Sequence, residues 1–330
     1  MRRLPWLPCS FVLLVAACGR APAPELRIGI NPWPGYEYFY LAQELGLFDT
    51  TAVRVRVVEL SSLSDTRRAF ERGQLDAFAG TPIEVLKARE SSSRRPVLML
   101  ATDVSEGADV VLARPGIADL RALAGRRIGV EPGTLNVYLV SRALEQVGLT
   151  LGDVVLVSLE PQQMPGALSR GTVDAVASYP PAALAMAALP GVTTLFSSAE
   201  LPDEILGVAS VDSVYLAAHR GAVVALLRGF EAARAHAAAH PEEADARMAA
   251  RERITPAAFR IARSQGIRLL PLADQARYLG ATGRVASALR HADEVLLAVG
   301  ELHTSQAGAG LLAPEVARAA QAPGGSGTAP

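Results

Sequence analysis

Cysteine, lysine and aromatic residues are scarce in this chain of 330 residues. Its two cysteines are Cys9 and Cys18, its single lysine is Lys87, and aromatic residues make up 5%. So few cysteines exclude a disulfide framework or a cysteine-rich metal site. An excess of positive charge is also missing, because 32 basic residues face 33 acidic ones for a net charge of -1. Binding to a phosphate backbone needs a basic surface, so we expect no nucleic-acid partner.

Patterns of nucleophilic or metal-dependent catalysis are absent as well. His236 and His240 stand four residues apart in a helical segment, which would suit metal ligation if a third ligand came near. The sequence offers no such ligand and no HExxH pattern. We therefore interpret the two histidines as a solvated pair before Pro241, and predict no enzyme, no cofactor and no metal.

The first 17 residues have the pattern of an export signal. Arg2 and Arg3 precede an apolar stretch that is too short to remain as a membrane-spanning helix. The stretch ends in Val15-Ala16-Ala17-Cys18, which resembles the bacterial lipobox. We predict that residues 1–17 are a signal peptide and that Cys18 carries a lipid, with residues 18–24 as a tether. The expected location is the cell envelope, on the periplasmic side of a membrane or on the outer surface.

Strand and helix patterns alternate from residue 25 onward. Apolar strand patterns occur at 25–30, 53–60, 75–79, 97–101, 127–130, 154–159 and 173–178. Helical patterns lie between them at 38–47, 65–72, 82–90, 134–147 and 163–170. Alternation of this length predicts βαβ units and parallel sheets, which places the chain in the α/β class.

The pattern restarts after residue 120, which predicts two lobes. Extended runs at 107–112 and 208–217 are interpreted as the two crossovers of a hinged clamshell. We assign 25–108 and 209–318 to the first lobe, 109–208 to the second, and 319–330 to a flexible tail. Residues 220–320 are predicted to be helical. A ligand should bind in the crevice where the parallel strands end.

Several motifs in register resemble one family of binding proteins. They include GINPWPGY at 29–36, LAGRRIGVEPGT at 123–134 and GTVDA at 171–175. The chain resembles, over about residues 25–215, the solute-binding proteins of ABC transporters for nitrate, taurine and aliphatic sulfonates, which have the type II periplasmic-binding-protein fold. Thiamine-pyrimidine-binding proteins are related to them.

The resemblance implies capture of a small, anionic, sulfonate-like or taurine-like solute and its delivery to an ABC permease and ATPase. It also implies a monomer that closes around its ligand. Where the family shows an aromatic residue, glutamate and proline, this chain has Ser178-Tyr179-Pro180-Pro181. The missing acid argues against a ligand that presents an amine or ring nitrogen. Two alternatives stay open, namely a sensing lipoprotein that partners a membrane signalling protein and a thiamine-pyrimidine precursor binder.

Gly133 and Thr134 are the residues from which we predict an anion site. They lie between a predicted strand and a predicted helix, where backbone N–H groups, the helix dipole and a hydroxyl converge. The alternative is that Thr134 is only an N-cap and Gly133 only a turn residue.

Other candidate ligand-binding residues follow predicted strands. Trp33 and Tyr36 could form an aromatic wall, or could pack within their own loop. Hydroxyl, backbone and carboxylate groups could bind polar parts of a solute, or could cap helices and turns. These candidates are Ser61, Ser62, Gly80, Thr81, Asp103 and Tyr179.

Overall fold

The computed structural model describes residues 22–322, so the predicted signal peptide, Cys18 and the end of the tail lie outside the described residues. The first of two sheets has six strands in the order β11-β4-β10-β3-β1-β2. β1, β2 and β3 are parallel, and β10 is antiparallel to both β3 and β4. The strands are β1 Glu25–Ile30, β2 Arg54–Glu59, β3 Ala77–Gly80, β4 Pro96–Ser105, β10 Leu206–Asp212 and β11 Ile267–Leu269.

The second sheet has five strands in the order β7-β6-β8-β5-β9. They are β5 Val110–Ala113, β6 Arg127–Val130, β7 Val155–Ser158, β8 Ala175–Ser178 and β9 Thr193–Ser197. Three helices accompany the first sheet, α1 Glu37–Glu44, α2 Leu63–Glu71 and α3 Pro82–Ser91. Three accompany the second, α4 Leu135–Glu145, α5 Met164–Ser169 and α6 Ala182–Ala187. The predicted two-lobe α/β fold is confirmed.

The C-terminal third is mainly helical and packs on the first lobe. Its helices are α7 Ser213–Ala218, α8 Arg220–Ala239, α9 Pro241–Glu252, α10 Pro256–Gly266, α11 Gln275–Leu279, α12 Arg284–Ala298 and α13 Pro314–Gln321. Phe230 of α8 contacts Phe39 of α1, with ring centroids 4.6 Å apart. Gly229 beside it leaves room for Phe48, because a Cβ at Gly229 would lie 2.2 Å from that ring. The first lobe is thus completed by segments from both ends of the chain.

The second predicted crossover is misplaced. Residues 208–212 belong to β10, which is buried and hydrogen-bonded on both sides within the first sheet. Residues 213–217 are helical because the Asp212 carboxylate accepts the N–H groups of Val214 and Tyr215 and caps α7. The chain therefore crosses at 198–205, and its first crossing lies at 106–109, just before β5. β9 and β11 were not predicted, and β11 interrupts the segment expected to be entirely helical.

The same arginine–aspartate contact stabilises both lobes. In the first, the Arg27 backbone N–H and guanidinium donate to Asp76, and the Asp76 N–H donates to the Arg27 carbonyl. In the second, Arg127 and Asp174 make the same set of bonds. Each arginine also reaches a glycine carbonyl in the turn before the aspartate's strand, at Gly73 and Gly171, which have φ of 74° and 68°. The contact joins β1 to β3 in the first lobe and β6 to β8 in the second.

Arg114 adds a further ion pair to Asp174 at 2.8 Å. Burial opposes ionisation of Asp174, but hydrogen bonds from Arg127 and Arg114 hold the pKa of this carboxyl well below its usual range. The pKa of Asp76 is lowered by Arg27 against the same opposing effect of burial. Both carboxylates are therefore charged at neutral pH and contribute to stability as anions.

Replacing Asp174 with alanine should destabilise the protein by about 2–3 kcal/mol, because several charge-assisted hydrogen bonds are lost together. Asp76→Ala should have a similar effect in the first lobe. Urea unfolding followed by circular dichroism measures both. The control is Glu294→Ala on an exposed position of α12, where little change is expected. An Asp174→Ala protein as stable as this control would contradict the assignment.

Candidate ligand-binding cleft

A small cavity lies between the two lobes and is lined by residues from both. They are Asn31, Trp33, Tyr36, Leu63, Thr81 and Gly207 from the first lobe, Leu135 and Tyr179 from the second, and Asp109 and Ile205 from the crossings. The empty volume is about 260 Å³, but the centre of a water-sized sphere can reach only about 10 Å³ of it. That space holds roughly one water. The cleft is therefore closed, and an organic solute requires the lobes to separate.

Three aromatic rings form one wall of the cavity. Trp33 lies 6.2 Å from Tyr36 and 6.3 Å from Tyr179, measured between ring centroids, and it meets the Tyr179 ring edge to face. The Tyr36 hydroxyl donates to the Gly80 carbonyl at 2.6 Å, which fixes that ring against the end of β3. The wall therefore combines rings from both lobes, and it offers an apolar surface to the body of a solute.

Asp103, at the end of β4, positions the tryptophan. The Trp33 indole N–H points between its two carboxylate oxygens, at 3.2 Å from each, and the Thr102 hydroxyl donates to Oδ2 at 2.8 Å. Burial raises the pKa of Asp103 to about 6, although these hydrogen bonds oppose the shift. A Cβ at Gly35 or Gly207 would lie 1.9 Å or 2.3 Å from Oδ2. Glycine at both positions lets the backbone approach this buried carboxylate.

Glu84 of the first lobe caps the start of a helix in the second. Its Oε2 accepts the Thr81 backbone N–H and hydroxyl, which forms a capping box at α3. Its Oε1 accepts the Leu135 N–H in the first turn of α4, at 2.9 Å. Burial raises the pKa of Glu84, while hydrogen bonds from Thr81 and Leu135 oppose the rise. A carboxylate of the protein itself thus occupies the N-terminus of α4.

Glu131 of the second lobe makes the reciprocal contact. It follows β6, and its Oε1 accepts the Ser64 N–H in the first turn of α2, at 2.6 Å. The Tyr179 hydroxyl donates to Oε2 at 3.0 Å and accepts the Leu63 N–H at 3.4 Å. Burial raises the pKa of Glu131, and the bonds to Ser64 are the main opposing effect. Each lobe therefore supplies a carboxylate to a helix start of the other.

Two hydrogen-bond acceptors of the cavity have no donor. Asp109 and Asn31 are each 1% exposed. Neither carboxylate oxygen of Asp109 forms a hydrogen bond, and the side-chain oxygen of Asn31 is also unpaired, whereas its amide nitrogen donates to the Pro32 carbonyl. Burial raises the pKa of Asp109 to about 7; the nearby Ser105 hydroxyl opposes the rise, and the charges of Asp103 and Glu84 add to it. Unpaired buried acceptors are costly, so the oxygens of these two side chains are where a ligand gains most by donating.

The predicted site residues divide into three groups. Trp33, Tyr36, Thr81 and Tyr179 line the cavity, and Gly80 and Asp103 support the rings behind it. Ser61 and Ser62 do not line it. Ser62 caps α2 through the Asp65 N–H, and the Ser61 carbonyl accepts the Gln162 side chain across the lobes at 2.9 Å. Gly133 and Thr134 form the start of α4, outside the lining.

Thr134 is engaged entirely within its own loop. Its hydroxyl donates to the Glu131 carbonyl at 2.8 Å and accepts the Asn136 N–H at 3.2 Å. Gly133, with φ of 66°, turns toward Arg67 and Lys87, which are paired with Glu71 and Glu301. The negative group at this helix start is the protein's own Glu84 carboxylate, which accepts the Leu135 N–H. The geometry does not offer this N-terminus to a solute.

Glu84, Asp109, Glu131 and Asn31 were not predicted as site residues. A capping-box pattern, threonine followed three residues later by glutamate, marks Glu84 as a partner of Thr81. Nothing in the sequence indicates that it also reaches Leu135, 51 positions away. Glu131 and Asn31 directly follow predicted strands, which is the signal that could have identified them. Asp109 lies two positions after Gly107 in the predicted crossover and does not directly follow a predicted strand.

A second, wider groove between the lobes is also lined by Tyr179. Its empty volume, including its opening to solvent, is about 1180 Å³, and Ser61, Arg251 and Glu252 contribute to it. Arg251 pairs with the buried Glu37. Burial raises the pKa of Glu37 to about 7, although Arg251 opposes the shift. The groove thus places two arginines, Arg251 and Arg253, and two carboxylates, Glu59 and Glu252, beside the aromatic wall.

Metal and membrane features are limited within residues 22–322. No cluster of three or more histidine, cysteine or acidic side chains in this part could hold a metal ion. The rings of His236 and His240 lie 4.7 Å apart, and His236 approaches Glu243 at 3.6 Å. None of the helices in the described range combines the length and apolar composition that a membrane crossing requires.

Comparison with known proteins agrees with the architecture. The model of the NMT1-like family matches residues 19–253, and the chain belongs to this family. Its fold is similar to that of the alkanesulfonate-binding protein SsuA from Xanthomonas axonopodis pv. citri bound to MOPS. That likeness has a TM-score of 0.75 at 19% identity, over 89% of this chain and 99% of the other. The predicted resemblance to nitrate-, taurine- and sulfonate-binding proteins is confirmed.

Two further comparisons show how far similarity in fold and sequence indicates function. The desulfurization enzyme DSZB has a similar structure, with a TM-score of 0.67 at 18% identity, over 90% of this chain and 98% of the enzyme. The fold alone therefore does not separate binding from catalysis. Among curated sequences, a binding protein of Brucella abortus (strain 2308) is 28% identical over 138 residues, or 41% of this chain. The aligned part spans 43% of that relative.

Removing the carboxylate of Glu131 should loosen the closed cleft. Glu131→Ala leaves the N–H of Ser64 and the hydroxyl of Tyr179 without their shared acceptor, so the open form should gain about tenfold in population. Small-angle X-ray scattering of the solute-free protein should show a larger radius of gyration. Thr255→Ala is the control, because Thr255 caps α10 within the first lobe. Scattering unchanged from the wild type would show that this carboxylate does not hold the lobes together.

Proposed function

We propose that this protein is an extracytoplasmic solute-binding lipoprotein that captures a small organic solute between its lobes and delivers it to an ABC importer. The observation that carries the proposal is the interlobe cavity, with an aromatic wall from both lobes and buried polar atoms that lack partners. Family membership and the two-lobe fold support it. A protein of similar structure, with a TM-score of 0.73, is described as the ligand-binding component of an ABC-type import system from Staphylococcus aureus.

The closed cleft suggests how capture operates. Tyr179, Glu131 and Glu84 connect the lobes through hydrogen bonds. These contacts open when the lobes separate to admit a solute, and they form again when the lobes close around it. Binding then favours a closed form that contains the ligand, because only the solute satisfies the unpaired acceptors of the cavity. The permease would recognise this ligand-bound arrangement of the lobes.

Binding is proposed in preference to catalysis because the cavity offers no set of catalytic groups. None of its lining residues, all within 22–322, is a histidine, lysine or cysteine. Asp109 is the lining carboxylate that could act as a nucleophile, but no base or orienting group forms a hydrogen bond with it. Burial raises the pKa values of Tyr36 and Tyr179 well above the usual range, so both phenols stay protonated at neutral pH and neither is available as a general base.

Solute binding should change the fluorescence of Trp33. The chain has two tryptophans, and the other, Trp6, lies in the predicted signal peptide. We expect at least one compound in a broad panel of small organic solutes to shift Trp33 emission saturably. The same compound, at a hundred times its dissociation constant, should stabilise the protein by about 2.7 kcal/mol in thermal unfolding. Trp33→Phe should abolish the optical signal and retain the stabilisation. A panel without any saturable or stabilising compound would oppose the proposal.

Lipid attachment at Cys18 is the second part of the proposal. Metabolic labelling of expressing cells with radioactive palmitate should mark the wild-type protein and move it to the membrane fraction. Cys18→Ser should abolish the label and release the protein from the membrane fraction. Cys9→Ser, within the predicted signal, should keep both the label and the membrane location. Equal labelling of wild type and Cys18→Ser would refute the anchor. Loss of the lipid anchor would leave the proposed binding role intact, because the cleft does not involve residue 18.

A further inference from the structure

With Asp109 ionised, the unpaired atoms that face the cavity are all acceptors. Asp109 has two unpaired carboxylate oxygens, and Asn31 has an unpaired amide oxygen. The other polar side chains of the lining are already engaged: the Tyr36 hydroxyl with Gly80, the Thr81 hydroxyl with Glu84, and the Tyr179 hydroxyl with Glu131. A solute that completes this cavity must therefore bring donors.

The charge around the cavity has one sign. Glu84, Asp103, Asp109 and Glu131 are all buried at or beside it. None of the lining residues is basic, a statement that covers the described chain from 22 to 322. Arg67 and Lys87, the cations beside Gly133, are paired with Glu71 and Glu301. An anionic group placed here would meet four carboxylates in a medium of low dielectric, which is unfavourable.

The helix starts that would otherwise bind an anion are already occupied. The N-terminus of α4 holds Glu84, that of α2 holds Glu131, and that of α3 is closed by the Thr81–Glu84 capping box. A sulfonate or carboxylate would have to displace one of these carboxylates and leave it buried without donors. A cationic group has no such competitor at Asp109.

Building on the proposed solute-binding role, we propose that the recognised group of the solute is a nitrogen cation, an ammonium or amidinium, that donates to Asp109 and Asn31. The body of the solute lies against Trp33, Tyr36 and Tyr179, where ring faces also attract positive charge. Asp109 precedes β5 at the first crossing between the lobes, so a cation bound there neutralises a buried charge at the hinge. The positive charge of the solute is thereby coupled to closure of the two lobes.

Three probes with one body and different head groups test this. Benzylammonium, benzyl alcohol and phenylmethanesulfonate share a phenyl ring and a methylene group, so the head group alone distinguishes their affinities. Each is titrated into the mature, lipidated protein in detergent, with Trp33 emission and calorimetry as independent readouts. Benzylammonium should bind about tenfold or more tighter than benzyl alcohol, and phenylmethanesulfonate should bind weakest.

Asp109→Asn isolates the recognised contact. The substitution should lower the affinity for benzylammonium by about tenfold or more, because the charged pair is lost. The affinity for benzyl alcohol, which forms no charged pair, should stay nearly unchanged. The variant should fold at least as stably as the wild type, since a neutral amide avoids the cost of a buried unpaired carboxylate. Asp119→Asn, at an exposed helix cap in the second lobe, is the matched control and should leave all three affinities unchanged.

Each result has a defined meaning. Sulfonate binding as tight as ammonium binding, equal affinity for ammonium and alcohol, or an Asp109→Asn protein that retains ammonium affinity overturns the inference. If sulfonates bind and ammonium compounds do not, the solute-binding role stands and only the assigned solute class fails. If all three probes fail, the inference is overturned, and the broad panel then decides whether the binding role falls as well.

Discussion

The reciprocal capping of helices by carboxylates is the interaction on which the closed form depends. Glu84 reaches from the first lobe to the start of α4, and Glu131 reaches back to the start of α2. A helix N-terminus carries unpaired N–H groups and a partial positive charge, so it attracts an acceptor of negative charge. When the lobes separate, both carboxylates and both helix starts must find water instead. These two contacts therefore favour the closed geometry of the cleft.

This arrangement also determines what the cleft can select. In a binding protein of two lobes, vacant helix starts are natural sites for an anion. Here these starts are filled from within, and the acids that fill them make the surroundings negative. The remaining unsatisfied atoms, on Asp109 and Asn31, accept hydrogen bonds. Selectivity thus results from which groups the protein has left unpaired, while the rings of Trp33 and Tyr179 supply contact area.

Much of the architecture could be predicted from the sequence. β1 and β6 lie where alternating and apolar patterns placed them, and Trp33, Tyr36, Thr81 and Tyr179 do line one cavity. The second crossover was misplaced because an extended apolar run has the same sequence pattern whether it connects two lobes or forms a strand within a sheet. The preference for an anionic solute rested on the family resemblance and on Thr134 at a helix start. That local pattern cannot reveal a distant carboxylate, and the acid missing beside Tyr179 gave no indication that Asp109 supplies one from another segment.

The small size of the closed cavity has a consequence for transport. Since it holds about one water, an organic solute fits only when the lobes lie farther apart than they do in this structure. The two arrangements of the lobes then differ in the spacing of their outer surfaces, which the proposed permease would contact. A partner sensitive to that spacing could reject the empty protein, and so avoid hydrolysing ATP without moving any cargo.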